Sequence, residues 1–284
     1  MQDLTTKLVK FLLRAGRVAH RYCSSYNPRH FEGESCPACG STAEMKMNGV
    51  LWPDLVLQWG LTPAWANWVD QREGLRCSGC RSNLRSRQLA KSIVGAMNAR
   101  LGTNTQTLAE LCITPEFQAQ AVAEINSAGN LHEFLKLSQG LRYSEYGSTQ
   151  PGIPSEDLLN LTYEDKRFDL VVNSDVLEHV PDVARALSEI IRILKPGGLY
   201  IFTVPVVWTQ VQTRLRAEID TGKVKHLLPP SYHGAEHDGR SDFLVFYEFG
   251  RDFVQICERA GFSVTLVRDL RNPALVTFVS CRVE

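Results

Sequence analysis

From about residue 117 onward, short apolar runs alternate with amphipathic stretches, the pattern of strands and helices laid down in turn. Residues 121–125 read as a strand, 131–137 as a helix and 141–146 as a second strand. Residues 168–174 form a buried strand, and 183–194 an amphipathic helix with Asp182 as its N-cap. Lys195-Pro196-Gly197-Gly198 should end that helix and turn the chain into an apolar strand over 199–205. A long polar connection over 208–248 precedes a helix at 251–260, and strands at 262–268 and 274–282 close the run. Such alternation predicts a parallel sheet covered on both faces. The last two strands are joined too tightly for a crossover helix, so one of them is expected to run antiparallel.

The first hundred residues follow another pattern. Apolar Leu4, Leu8, Phe11, Leu12 and Val18 recur near helical spacing with basic residues between them, which predicts an amphipathic basic helix within 1–33. Two pairs follow, Cys36-Pro37-Ala38-Cys39 and Cys77-Ser78-Gly79-Cys80. A C-x2-C turn aims two thiolates at one tetrahedral position, so two such turns complete a closed structural zinc site. The 37 residues between the pairs exceed a common zinc-ribbon spacing, and part of them, around 48–70, must loop out. Gly40 and Gly79 suit turns that need positive φ. Trp52, Trp59, Trp65 and Trp68 lie in this insertion and should pack a small domain. A helix is expected from about 83 to 101, completing a zinc-binding unit over 34–101. Cys23, Cys112, Cys257 and Cys281 are scattered and read as small core residues.

Composition adds limits. Hydrophobic residues are 44% and charged residues 22% of 284, and Lys+Arg equals Asp+Glu at 31 each, so net charge calls for no polyanionic partner. The charge is nevertheless unevenly placed: residues 72–91 carry Arg72, Arg76, Arg81, Arg85, Arg87 and Lys91 against Glu73 alone. That asymmetry fits a phosphate-bearing partner, an interdomain contact or a solvated helix face. The longest apolar run is about half of a membrane crossing, so no span is expected. Basic residues interrupt the N-terminal apolar positions, and the protein is expected in the cytoplasm.

One stretch is highly specific: Phe168-Asp169-Leu170-Val171-Val172-Asn173-Ser174-Asp175-Val176-Leu177-Glu178-His179-Val180-Pro181-Asp182, followed by Leu194-Lys195-Pro196-Gly197-Gly198. Together these closely resemble the class I S-adenosylmethionine (SAM) dependent methyltransferases, of the type 11 kind. The N-terminal part resembles methyltransferases that carry a zinc-binding module ahead of the catalytic domain. The resemblance implies an α/β fold with a Rossmann-like, seven-stranded, mostly parallel sheet and helices on both faces, filling 102–284. It also implies SAM as cofactor, beside the structural zinc.

Open parallel sheets bind ligands at the carboxyl ends of their strands, beside the switch point. The first strand then leads into a cofactor loop, Glu124-Ile125-Asn126-Ser127-Ala128-Gly129-Asn130, where the family usually has E-x-G-x-G-x-G. Glu124 and Gly129 are kept, whereas Asn126 and Ala128 replace glycines. Glu145, ending the second strand, can accept from both ribose hydroxyls. The resemblance assigns Asp157 and Leu158 to the adenine, and Ser174 and Asp175 to the methionyl part. His179 is a candidate to deprotonate the acceptor, or its ring only shapes the pocket. The connection, about 206–248, is the expected substrate lid; His233 is its candidate base, and His226, Tyr232 and His237 are candidate substrate contacts. Spacings of seven and four between these histidines match no known metal pattern. The acceptor expected is a small polar metabolite, a saccharide or natural product methylated on oxygen or nitrogen. RNA held by the zinc module is the alternative, and a non-catalytic methyltransferase-like binding protein the third reading.

Overall fold

The computed structural model describes residues 31–283 apart from 32, 43, 52 and 233–242. Most of the expected helix within 1–33 therefore lies outside the described residues, as do Cys23, Trp52, His233 and His237.

The cysteine-bearing segment is a ribbon closed by two helices. Strands β1 (Met45–Met47) and β2 (Leu75–Cys77) pair antiparallel, and the expected insertion between them folds into α1 (Pro53–Gln58) and α2 (Pro63–Gly74). Thr62 caps α2 by accepting from Trp65 N at 3.3 Å, and Pro63 occupies the first turn, where no N–H is needed. A Cβ on Gly74 would stand 2.2 Å from Asn48 O, so only glycine lets the ribbon close. Next comes α3 (Leu84–Leu101), within a residue of its predicted bounds. Asn83 accepts from Ser86 N at 2.8 Å at one end, and Gly102 takes φ +70° at the other. Short helices α4 (Leu108–Cys112) and α5 (Pro115–Gln118) lead into the sheet.

The sheet begins with β3 (Val122–Ile125), followed by a 3-10 turn (Gly129–Leu131), α6 (His132–Leu135) and β4 (Leu141–Ser144). Then come β5 (Phe168–Ser174), α7 (Val183–Ile193) and β6 (Leu194–Thr203). The connection contributes β7 (Arg214–Leu215), a hairpin of β8 (Ala217–Asp220) and β9 (Lys223–His226), and β10 (Tyr247–Glu248). Helix α8 (Phe253–Arg259) and strands β11 (Phe262–Asp269) and β12 (Asn272–Arg282) finish the chain. The strand order is β11-β12-β6-β5-β3-β4; the four strands from β6 to β4 are parallel, and β12 is antiparallel to both neighbours.

This is a Rossmann-like mixed sheet of six strands, where seven were expected. After β4 the chain holds Pro151 and Pro154, which have no N–H to donate, and Gly147 and Gly152 at positive φ. A single bridge, Glu145 to Ser155, is all the pairing that this segment makes with the end of β4. The helix expected over 131–137 shrinks to the 3-10 turn and the four residues of α6. Lys195-Pro196-Gly197-Gly198 does not separate helix from strand, because β6 starts at Leu194 and runs through it. The connection is not featureless either: β7 pairs β10 across it.

Period-two alternation sorts the strands between two cores. Val122, Leu170, Val172 and Ile201 face the layer of α3, α4 and α6, whereas Ala123, Val171, Tyr200 and Phe202 face α7 and α8. All seven residues of β5 are buried. On the second face Phe202 stacks between Tyr200 and Phe278, at centroid distances of 4.0 and 5.0 Å. Cys36, Ala38 and Cys77 belong to the first core, together with Leu89, Ile93 and Val122, so the cysteine segment and the sheet share one apolar cluster. Cys112 and Cys257 are fully buried as expected, and burial pushes each thiol up to about 12; Cys281 is only half-buried.

Candidate active site

The reversal of strand order lies beside β3, so the carboxyl ends of β3, β4 and β5 border one crevice. Around the loop after β3 the polar groups are tied locally. Glu124, fully buried, accepts from Ala128 N at 2.8 Å and lies 2.7 Å from His132 Nδ1. That hydrogen bond raises the His132 pKa despite its partial burial. Glu124 thus braces the loop from within. Asn126, standing where glycine is usual, has φ +58°, and its Oδ1 accepts from Tyr146 N at 2.7 Å. Asparagine tolerates this conformation, so the departure keeps the turn. Ala128 has φ −76° and needs no glycine, whereas Gly129 has φ +66°. Glu145 closes the loop by accepting from Ser127 N at 3.0 Å and from the Tyr143 hydroxyl. Asp157 is exposed and caps Leu159 N at 2.9 Å; Leu158 is buried among the core residues.

The end of β5 is different. Ser174 Oγ lies 2.9 Å from Thr203 Oγ1 and accepts from Arg85 Nη1. Asp175, in a left-handed conformation at φ +53°, accepts two parallel bonds from Arg72, at 2.7 and 2.8 Å, and a third from Thr203 Oγ1. Glu73 accepts from both arginines. Burial alone would raise the Asp175 carboxyl, but the two guanidinium groups outweigh it and hold Asp175 well below the usual carboxylate range. The next acid shows the opposite balance. Glu178 is fully buried, neither of its oxygens has a hydrogen-bond partner, and burial, with the Asp175 charge, drives its pKa well up.

His179 Nδ1 lies 3.0 Å from Leu244 O. A carbonyl only accepts, so Nδ1 carries the proton and Nε2, 3.8 Å from Glu178 Oε1, holds the lone pair. Burial lowers the His179 pKa, which keeps the ring neutral near pH 7. The described flanks of the connection seat on this loop: Phe246 N donates to Glu178 O at 2.7 Å, and Tyr247 hydroxyl to Pro181 O at 3.1 Å. Tyr232 bridges Leu244, whose carbonyl takes His179, so its backbone lies near the site. His226 is exposed at the end of the β8–β9 hairpin, and no described contact links it to the crevice. His233 and His237 fall outside the described residues.

Arg72, Glu73, Arg85 and Glu178 were not singled out as site residues by their sequence. Arg72 and Arg85 do belong to the basic cluster at 72–91, and an interdomain contact was one of its readings. Trp59, expected to pack the insertion, donates from Nε1 to Ser231 Oγ at 2.9 Å, and Trp65 and Trp68 meet edge to face at 5.2 Å.

The four sulfurs of Cys36, Cys39, Cys77 and Cys80 lie within 4.8 Å of one another. Cys36–Cys80 and Cys39–Cys77 are 3.8 and 3.9 Å apart, close to the edge of about 3.8 Å that Zn–S bonds of about 2.3 Å give in a tetrahedron. The two turns repeat one another: Gly40 N donates to Cys36 O and Arg81 N to Cys77 O, at 2.7 and 2.8 Å. The positive φ expected at Gly79 falls instead on Arg81. Gly79 is needed for closeness, since a Cβ there would meet Ser41 at 3.0 Å.

Comparison with known proteins finds similarity over part of the chain. The methyltransferase domain family matches residues 95–202. A norajmaline N-methyltransferase of Rauvolfia serpentina is 35% identical over 66 residues, 23% of each chain. A demethylmenaquinone methyltransferase of Lactiplantibacillus plantarum is 29% identical over 104 residues, 34% of this chain and 44% of that one. The chain thus spans less than half the length of these curated relatives. Among solved structures, the 1,6-didemethyltoxoflavin-N1-methyltransferase of Burkholderia thailandensis is 14% identical with a TM-score of 0.38, covering 85% of this chain and 97% of that one. The family match marks residues 95–202 as similar to a methyltransferase domain. No helix among the described residues is long and apolar enough to cross a membrane.

Proposed function

We propose that the chain is a SAM-dependent methyltransferase acting on a small polar acceptor through oxygen or nitrogen. The observation that carries this reading is the braced loop after β3 with Glu145 at its rim, at the switch point of the sheet. The residues fit the cofactor's chemistry: Glu145 for the ribose hydroxyls, Asp157 for the adenine amine, and Ser174 and Asp175 for the methionyl end. When bound, SAM supplies a methyl group activated by its sulfonium. The protein's own task is then to hold the acceptor in line and take one proton from it. His179 suits that step, because Leu244 O fixes its Nδ1–H and burial keeps the ring neutral. His233 remains a candidate base and His226 and His237 candidate substrate contacts on the connection, with Tyr232 paired to Leu244, whose carbonyl holds His179.

The four cysteines would hold a structural zinc ion, with no open coordination position. Such thiolates suit a reducing cytoplasm. RNA is the weaker partner, because Arg72, Arg85 and Arg87 of the basic cluster are turned inward. Calorimetry tests the cofactor. Wild type should bind SAM, and Glu145→Ala should bind it about ten- to a hundredfold more weakly, through loss of a charge-assisted acceptor. Unchanged affinity in the variant would remove Glu145 from the site, and no binding by wild type would favour a non-catalytic protein.

A further inference from the structure

Both arginines at the end of β5 come from the cysteine-bearing segment. Arg72 lies in the last turn of α2 and Arg85 in the first turn of α3, on either side of β2 and the second cysteine pair. Besides its two bonds to Asp175, Arg72 has an Nε that is buried without a partner, in a side chain only 6% exposed. Arg85 reaches Ser174 with Nη1, holds Glu73 with Nε and Nη2 at 3.0 Å each, and stands 3.4 Å from Asp175. The start of α3 also lies against the loop after β3, since a Cβ on Gly129 would come within 3.6 Å of Ser86 Oγ. Arg85, next to Ser86, therefore stands near the loop after β3 as well as at the end of β5, where Arg72 joins it on Asp175.

Charge narrows the ligand. Two guanidinium groups face the carboxylates of Asp175 and Glu73, whose pKa values are both held down, so the cluster is balanced. A simple anion would upset that balance. A group with its own adjacent cation and anion would not. Carboxylate recognition by paired N–H donors is what a guanidinium fork provides, and an ammonium suits Asp175.

We propose that Arg72, Arg85 and Asp175 form a receptor for an α-amino-acid zwitterion, the amino-acid end of the cofactor, so that the cysteine-bearing segment completes the cofactor site. The proposal rests on the SAM reading above. It makes the segment more than a cover: the cofactor's carboxylate is held by residues that precede the whole sheet.

Calorimetry with three neutral-sulfur ligands tests it: S-adenosylhomocysteine, its decarboxylated analogue, and 5′-methylthioadenosine, which lacks the amino-acid group. Wild type should prefer S-adenosylhomocysteine over the decarboxylated analogue by about ten- to a hundredfold, the usual worth of a charge-assisted pair. Arg85→Gln should erase most of that preference and leave methylthioadenosine affinity within about twofold. Arg85→Lys, which keeps the charge but loses the fork, should fall between them. The wild-type comparison stands even if a variant does not fold. Equal wild-type affinity for the carboxylated and decarboxylated ligands, or a full preference retained in folded Arg85→Gln, would overturn the proposal alone. Failure of wild type to bind any of the three would overturn both it and the SAM reading.

Discussion

The two halves of the crevice use carboxylates in opposite ways. After β3 and β4, Glu124 and Glu145 accept from backbone N–H groups and side chains no more than 18 positions away. At the end of β5, Asp175 accepts from Arg72, 103 positions away and on a different element of the chain. The first arrangement is a loop holding its own shape. The second fastens one part of the molecule to another, and it removes charge from water to do so. A local brace can be lost with little consequence beyond its loop, whereas an unpaired buried charge is costly wherever it is.

The largest expected effect concerns the segment that carries the arginines. Cys77→Ser should lose the metal, read as about one zinc per chain in wild type and none in the variant by elemental analysis. Because Cys77 shares a core with Val122 and Ile201, the loss should lower the unfolding midpoint of the whole chain, not of a separate module. A wild type that is metal-free when reduced, yet folded and active, would refute the zinc assignment. Next, His179→Ala should slow methyl transfer by about 10²–10⁴ once an acceptor is in hand. In wild type the lowered His179 pKa means that the basic form survives below the ordinary value of 6.5, so the rate should hold to more acidic pH than that. Near-wild-type turnover in the variant would leave positioning as the whole of catalysis.

Two smaller effects sharpen the contrast between the halves. Asp175→Ala takes the forked carboxylate from Arg72, leaving it Glu73 alone, and should cost about 3 kcal/mol in urea unfolding. Glu145→Ala should cost only about 1 kcal/mol, as its donors can turn to water. Comparable losses would show that the crevice is not divided as described. Glu178→Gln tests the buried acid itself. A carboxyl with a raised pKa contributes its stability in full below the ordinary value of 4.5 and loses it as the pH climbs toward the folded value. The neutral amide lacks that loss, so the variant should gain on wild type as the pH rises above 4.5. Parallel stability curves for the two proteins would mean that Glu178 is not held protonated by the fold.

Much of the architecture was legible because its signals are local. Asp182 and Asn83 cap helices through bonds to residues three positions on, and each helix starts where those residues predict. The cysteine pairs carry their own turns, and β5 announces itself by the apolar Phe168 and Leu170-Val171-Val172. The loop after β3 and Glu145 were legible as positions because both lie one residue or a few past a strand end. Departures came where a local signal was outweighed: prolines and glycines after β4 withheld the seventh strand, and Arg81, not Gly79, took the left-handed turn.

What the tertiary structure alone decided is which distant groups meet and which lose their water. No period or spacing links Arg72 to Asp175, or Trp59 to Ser231, 172 positions apart. The sequence singled out the thiols, the strand ends and His179 as candidates. It contained no sign that Glu178, beside that histidine, would be sealed without a hydrogen-bond partner, or that Arg72 and Arg85, out of the whole basic run, would be the ones to meet at Asp175. Those outcomes depend on desolvation, which is a property of the packed whole: a charge costs little in water and much in a core, and only the assembled layers determine which it experiences.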